Sequence, residues 1–110
     1  MHELALMETV IETIEARTRP ARVARVSLEV GRLSGAAPEA MQFCFAACTR
    51  DTTLEGAALE IDEIAGQARC RNCGEERALE SFLELCAGCG GASFEVLAGE
   101  ELRIKSVEVF

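Results

Sequence analysis

The sequence predicts an α+β fold in which a small β-sheet packs with two helices and is interrupted by a four-cysteine lobe. Two stretches repeat apolar residues with the period of a helix, and four stretches have the alternation or the β-rich composition of strands. Residues 69–91 differ in kind, because they contain four cysteines and few large apolar side chains. A segment so poor in core residues needs another source of stability.

The size and net charge of the chain narrow the classes of protein to which it can belong. It has 110 residues, of which 49% are hydrophobic and 27% charged, as in one ordinary globular domain or one domain with a small module. Five phenylalanines are its only aromatic residues, so the core must be mostly aliphatic. The formal net charge is −8, and a uniformly acidic surface repels phosphate backbones. We therefore predict no binding of nucleic acid.

The apolar segments are too short for a membrane span, which needs roughly 20 consecutive apolar residues. The amino terminus begins Met1-His2-Glu3, without the basic region of a signal peptide. These features predict a cytoplasmic protein without a membrane contact. In that reducing compartment, paired cysteines are interpreted as metal ligands before disulfides.

The first predicted element is a helix over residues 3–18. Its glutamates lie away from the centre of an apolar stripe with helical spacing. Pro20 disfavours helical geometry at Arg19 and predicts that the helix ends there. The stripe comprises Leu4, Met7, Ile11, Ile14 and Thr18, widened by Leu6 and Val10.

A strand and a second helix follow. From Ala21 the period changes to two, and the predicted inward residues of the strand are Ala24, Val26, Leu28 and Val30. Glycines then mark a loop at 31–35, and Pro38 with Glu39 is typical of the first turn of a helix. This helix is predicted to end near Thr49, with an apolar stripe of Met41, Cys44, Phe45 and Cys48.

The remaining strands set the predicted domain boundaries. Strands are predicted at about 58–64, 93–97 and 102–109, and the last one is expected to return to the main sheet. The α+β domain therefore comprises residues 1–66 and 98–110. The inserted lobe comprises residues 67–97.

The cysteines of the lobe form two CxxCG turns, at Cys70 with Cys73 and at Cys86 with Cys89. Two intervening residues let a tight turn direct both sulfurs at one ion, and the following glycine permits unusual backbone angles. Two such turns provide a closed tetrahedral set of four thiolates, which suits Zn(II) best and iron second. We interpret the lobe as zinc-ribbon-like, with a structural zinc site.

Two alternative functions are also compatible with the four-cysteine motif. A rubredoxin-like iron electron carrier also uses four thiolates in CxxCG turns. A zinc-ribbon module for protein interaction would bind zinc and transport no metal. The sequence has neither a GxxxxGK[ST] nor a GxSxG motif, so we predict that the protein is not an enzyme.

The other two cysteines, Cys44 and Cys48, are four residues apart on the apolar stripe of the second helix. Free cysteines in such positions are usually small buried hydrophobic residues. We therefore predict a packing role for this pair and no metal ligation.

The only histidine is His2, next to the α-amino group of Met1. The terminal amine, the imidazole and the intervening deprotonated amides can chelate one ion in a plane, and planar nitrogen sets suit Ni(II) or Cu(II). These groups must lose protons to bind a metal. Nickel affinity is therefore expected to fall as the pH drops from about 8 to about 6.

Together these motifs, in this order, resemble the HypA/HybF family of nickel-incorporation proteins for [NiFe]-hydrogenase maturation, over essentially the whole chain. The resemblance is carried by Met1-His2-Glu3, residues 29–35, Pro38-Glu39-Ala40, Phe43-Cys44-Phe45, the two CxxCG turns and residues 100–105. It implies a metallochaperone whose sheet and helices form a nickel domain and whose cysteines form a separate zinc lobe.

The resemblance also implies ligands and partners. Nickel would be bound by a nitrogen-rich set centred on His2, which the Met1 amine and the backbone of Glu3 complete or support. The Glu3 carboxylate is either an alternative oxygen ligand or an ordinary acidic charge in the first turn of the helix. Zinc would be held by Cys70, Cys73, Cys86 and Cys89. The implied partners are a nickel-binding GTPase accessory protein, the [NiFe]-hydrogenase large-subunit precursor and, in some organisms, the urease system. The sequence is compatible with a monomer or a homodimer.

The sequence departs from some relatives, which carry histidines beside the zinc cysteines that exchange with them as the pH changes. This chain has no histidine there. We therefore do not expect a pH response by ligand exchange at the zinc site.

Overall fold

A computed structural model describes residues 2–110. Over these residues the chain forms two α-helices, a 3-10 turn and six strands. The helices are α1 (Glu3–Thr18) and α2 (Pro38–Cys48), and the 3-10 turn is Arg32–Ser34. The strands are β1 (Val23–Gly31), β2 (Ala58–Ile64), β3 (Gln67–Cys70), β4 (Glu76–Ala78), β5 (Phe94–Ala98) and β6 (Leu102–Val109). The predicted α+β fold is confirmed.

The chain divides into two compact units. The helical unit contains residues up to 29, 36–62 and 103–110, and the cysteine unit contains 30–35 and 63–102. The cysteine unit is larger than the lobe predicted at 67–97, because it also takes in 30–35, 63–66 and 98–102.

Helix α1 buries the central part of its predicted stripe. Met7, Val10, Ile11 and Ile14 are buried, as the helical spacing indicates. The prediction was wrong for Leu4, which is 39% exposed in the first turn of the helix. The buried stripe of α1 therefore begins one turn later, at Met7.

The main sheet has the order β2-β1-β6, with β1 in the centre. The predicted return of the last strand to this sheet is confirmed. Strand β1 buries Val26, Leu28 and Val30, as its alternation indicates. Val23 is buried as well, whereas the predicted inward residue Ala24 is only half-buried.

Helix α2 begins with Pro38 at its first position, where the missing N–H is not needed. Met41 and Phe45 are buried. Cys44 and Cys48 are free and only half-buried, so they line the edge of the core rather than its centre. Burial, followed by the nearby Glu8 carboxylate and Cys44, raises the pKa of the Cys48 thiol. A raised pKa disfavours the thiolate, which is the reactive and metal-binding form of cysteine.

The carboxylate of Glu15 fastens the end of α1 to the turn that follows α2. One oxygen accepts hydrogen bonds from the Thr53 amide and hydroxyl, both at 3.0 Å, and the other accepts from Arg19 at 3.0 Å. The side chain is 12% exposed. Donation by the Thr53 amide, together with its hydroxyl and Arg19, lowers the pKa of Glu15 below its ordinary value of 4.5. This carboxylate therefore stabilises the helical unit in its charged form.

We expect Glu15→Ala to lower the free energy of unfolding of the helical unit by about 2 kcal/mol, because it removes hydrogen bonds to a charged group. Glu12→Ala is the matched control, since Glu12 is exposed on the same helix and should change stability by less than about 0.5 kcal/mol. Chemical denaturation followed at 222 nm reports on this unit, because both α-helices lie in it.

The pH dependence of the same experiment has a defined sign. Since the folded pKa of Glu15 is lowered, its stabilisation is complete above about pH 4.5 and is lost as the pH falls through the folded pKa. The stability difference between wild type and Glu15→Ala should therefore shrink below pH 4.5. A difference that stays constant down to pH 2 would contradict this assignment.

The cysteine unit has its own small sheet, of order β4-β3-β5, in which both strand pairs are antiparallel. The register aligns Ala68 of β3 with Arg77 of β4 and with Val96 of β5. Its core consists of Leu33, Ala68 and Leu79, with Phe94 and Val96 packed against them. A core this small supports the expectation that the unit needs a metal for stability.

Glycines allow backbone segments of the cysteine unit to approach closely. A Cβ atom on Gly31 would lie 1.9 Å from the carbonyl oxygen of Gly99. The Gly31 amide donates to the Glu101 carbonyl at 2.6 Å, and the Leu33 amide donates to the Gly99 carbonyl at 2.7 Å. Gly99 itself has φ +110°, which only glycine adopts without strain.

Candidate metal centre

The four lobe cysteines lie on two turns with the same hydrogen-bond pattern. In the first turn the Gly74 amide donates to the Cys70 carbonyl at 2.8 Å, and in the second the Gly90 amide donates to the Cys86 carbonyl at 2.7 Å. Gly74 has φ +79° and Gly90 has φ +75°, both in the left-handed region. The glycine after each cysteine pair therefore has the role that its position predicts.

The two turns bring the four sulfur atoms into one cluster. All four lie within 4.8 Å of one another, with 3.6 Å between the sulfurs of Cys70 and Cys89 and 3.7 Å between those of Cys73 and Cys86. A tetrahedral ion with metal–sulfur bonds of about 2.3 Å requires sulfur separations of about 3.8 Å. The cysteines are free, and a disulfide would require about 2.05 Å. The cluster therefore fits a tetrahedral metal ion.

Hydrogen-bond donors surround the second turn. The Cys89 amide, then the Gly88 amide, lower the pKa of Cys86 to about 6. Asn72 and then the Gly91 amide lower the pKa of Cys89, with Asn72 Nδ2 lying 3.3 Å from its sulfur. Arg77 Nη1 lies 3.7 Å from the sulfur of Cys86. These contacts favour the thiolate, which is the metal-binding form.

The first turn shows the effect of crowding four sulfurs together. The Glu75 amide lowers the pKa of Cys73, but desolvation and the other three sulfurs outweigh it and raise that pKa to about 12. Like charges at such distances cannot all form unless a cation lies among them. A cation among the four sulfurs would favour the ionised form of all four cysteines.

The structure places His2 at the amino-terminal cap of α1. Its backbone is extended, and its carbonyl accepts a hydrogen bond from the Leu6 amide at 3.1 Å. Its side chain is exposed and makes no capping hydrogen bond. Met1, the third member of the predicted nickel set, lies outside the described residues.

Glu3 is half-buried in the first turn of α1. One oxygen of its carboxylate accepts the Ala37 amide at 3.2 Å, and Ala37 caps the start of α2. Donation by the Ala37 amide, and then by its own amide, lowers the pKa of Glu3. The carboxylate therefore ties the beginnings of the two helices together, a role that local sequence patterns do not predict.

The two predicted sites belong to different units. His2 and Glu3 lie in the helical unit, whereas the four clustered cysteines lie in the cysteine unit. Within residues 2–110, Cys44 and Cys48 are not part of any group of possible metal ligands. Local sequence patterns do not predict a role for Asn72 or Arg77, because their contacts with sulfur depend on how the strands and turns of the cysteine unit pack together.

These features define a two-unit α+β protein with a four-cysteine metal centre and an exposed histidine at the start of its first helix. The chain belongs to the HypA family: the family model described as hydrogenase/urease nickel incorporation, metallochaperone, HypA matches residues 1–109. This family comprises nickel metallochaperones that act in hydrogenase maturation.

Curated relatives agree with this assignment, and a solved structure has the same fold. The chain is 45% identical over 109 residues to the hydrogenase maturation factor HypA of Geobacter metallireducens, and 47% identical over 109 residues to that of Geotalea uraniireducens. Each match covers 99% of both chains. The solution structure of the nickel metallochaperone HypA from Helicobacter pylori has the same fold, with a TM-score of 0.65 at 19% identity over 99% of this chain and 97% of that one.

Proposed function

We propose that the protein carries Ni(II) at its amino terminus and delivers it to the maturing [NiFe]-hydrogenase, while Zn(II) bound by Cys70, Cys73, Cys86 and Cys89 fixes the cysteine unit. The observation that carries this proposal is the family match, which spans residues 1–109 and so includes both sites. We infer the two functional domains that the sequence predicts. These are a nickel domain of residues 1–66 and 98–110 and a zinc domain of residues 67–97.

The zinc assignment is supported by the sulfur cluster. Four thiolates leave no open coordination position for a substrate, which is typical of structural zinc sites. When bound, zinc would contribute folding free energy to a unit whose hydrophobic core has only a few residues.

The nickel assignment is supported by the position of His2. The first amides of a helix have no partner within that helix, so the amides near His2 are not committed to α1. The exposed imidazole can therefore join the Met1 amine and neighbouring amide nitrogens in a planar set that suits Ni(II). Glu3 would support this set by holding the start of α1 against Ala37.

The proposed division of roles suits a carrier. An exposed site at the chain terminus can be reached and emptied by a partner, whereas the closed thiolate site retains its ion. We infer that the partners are a nickel-binding GTPase accessory protein and the hydrogenase large-subunit precursor, with urease accessory proteins as further partners. We propose that this exchange takes place in the cytoplasm. As a separate finding, neither helix that the structure describes combines the length and the apolar composition of a membrane span.

Metal analysis of the untagged protein tests this function. We expect one tightly held zinc per chain and, after nickel addition, one nickel that a chelator removes. Coloured protein containing iron with reversible one-electron chemistry would instead support a rubredoxin-like carrier. Zinc without selective nickel uptake would support a zinc-ribbon interaction module.

A further inference from the structure

The side chains around the sulfur cluster are distributed unevenly. Among the described residues, two side chains other than cysteines have hydrogen-bond donors within reach of a sulfur, Asn72 and Arg77. Both come from the first half of the lobe, and both contact sulfurs of the second turn, at Cys89 and Cys86 respectively. They therefore connect the two halves of the site.

The fold fixes both donors in place. Arg77 lies on β4 directly opposite Ala68 of β3, and it is half-buried. Asn72 lies within the first CxxC turn, and its Cβ is 3.3 Å from the position that a Cβ on Gly91 would occupy. Strand pairing thus places Arg77 near the sulfurs, and the first CxxC turn places Asn72 there.

Charge makes the Arg77 contact important. A divalent ion with four thiolates carries a net charge of −2, and this lobe is rich in glutamate. Of the nearby arginines, Arg69 is paired with Glu76 at 3.6 Å and with Glu95 at 2.9 Å. Arg71 is exposed and contacts no sulfur among the described residues. Arg77 is thus the arginine placed to offset the charge of the cluster.

We propose that Arg77 and Asn72 are positioning residues of the four-cysteine site, which hold the thiolates of Cys86 and Cys89 and so help the site to retain its zinc. This inference rests on the proposed zinc binding. Partners of this kind around metal ligands typically change metal affinity by 10- to 100-fold when they are removed. The sequence of the CxxCG turns does not imply either contact.

The first test compares two arginines in the intact protein. Zinc affinity is measured by competition with a chromophoric chelator for wild type, Arg77→Gln, Arg77→Lys and Arg71→Gln. We expect about a tenfold loss for Arg77→Gln and partial rescue by Arg77→Lys, which keeps the charge. Arg71→Gln removes the same charge from the same lobe and should change affinity less than about twofold.

A second measurement separates loss of the contact between Asn72 and Cys89 from a general loosening of the lobe. In the zinc-bound protein, alkylation by iodoacetamide is followed at each cysteine by mass spectrometry. Asn72→Ala should raise the rate at Cys89 several-fold and leave Cys73 unchanged, because Cys73 is exposed but has neither donor. In the cobalt-substituted protein, Arg77→Gln should shift the thiolate-to-cobalt charge-transfer band to lower energy.

The outcomes distinguish this inference from the function on which it rests. Wild-type protein without one zinc per chain would overturn the proposed zinc site itself. Wild-type protein with one zinc, but equal affinities for Arg77→Gln and Arg71→Gln, would overturn the role of Arg77 alone. An equal rise in alkylation at all four cysteines of Asn72→Ala would show that Asn72 acts on the fold and not on Cys89.

Discussion

Cys70→Ser is expected to abolish stoichiometric zinc binding and to unfold the cysteine unit while the helices persist. Cys70 is buried at the end of β3, and its sulfur lies 3.6 Å from that of Cys89, so serine removes one of four ligands at the centre of the unit. Binding of a structural zinc supplies about 10–16 kcal/mol in small zinc modules. The core of Leu33, Ala68 and Leu79 is too small to replace it.

Two measurements separate the units in this variant. Metal analysis should show loss of zinc, and circular dichroism at 222 nm should remain near the wild-type value because α1 and α2 lie in the helical unit. Cys44→Ser is the matched control, since Cys44 is a half-buried cysteine outside the sulfur cluster, and it should retain one zinc. Full zinc content in Cys70→Ser would refute the assignment of the cluster.

His2→Ala is expected to reduce nickel affinity more than about a hundredfold, because loss of a direct ligand should exceed the 10- to 100-fold effect of losing an outer contact. Zinc content and stability should not change. The helix uses the His2 carbonyl, which accepts the Leu6 amide, and the side chain makes no capping bond. Alanine preserves that carbonyl.

Isothermal titration with Ni(II) of the zinc-bound protein measures this effect. A variant with residues added before Met1 is the companion test, because it moves the α-amine away from the imidazole while leaving His2 in place. Both variants should lose high-affinity binding. Wild-type affinity in His2→Ala would exclude the amino terminus as the nickel site.

Glu3 illustrates how tertiary contacts change the interpretation of a residue. In the sequence, its carboxylate could be an oxygen ligand or an ordinary charge in the first turn of a helix. In the structure that carboxylate accepts the Ala37 amide, so it links two segments that are 34 residues apart. No local pattern predicts this contact, since it depends on how α1 and α2 pack.

The main elements were predictable because they have strong periodicity or distinct end signals. The helix over residues 3–18 and the strand that ends near 31 were confirmed, and so was the return of the last strand to the main sheet. Strands β3 and β4 were not predicted individually. They have four and three residues, which is too short for alternation to be recognised, and they form only by pairing with one another and with β5.

The sequence by itself determined the α+β class, the two CxxCG turns and the position of the single histidine, because each of these depends on local spacing or composition. Only the tertiary structure decided which residues surround the sulfurs, how Glu15 and Glu3 fasten the helical unit, and that Leu4 stays exposed. These features arise from contacts between segments distant in the chain. Their geometry is set by packing and strand register, which local sequence patterns do not encode.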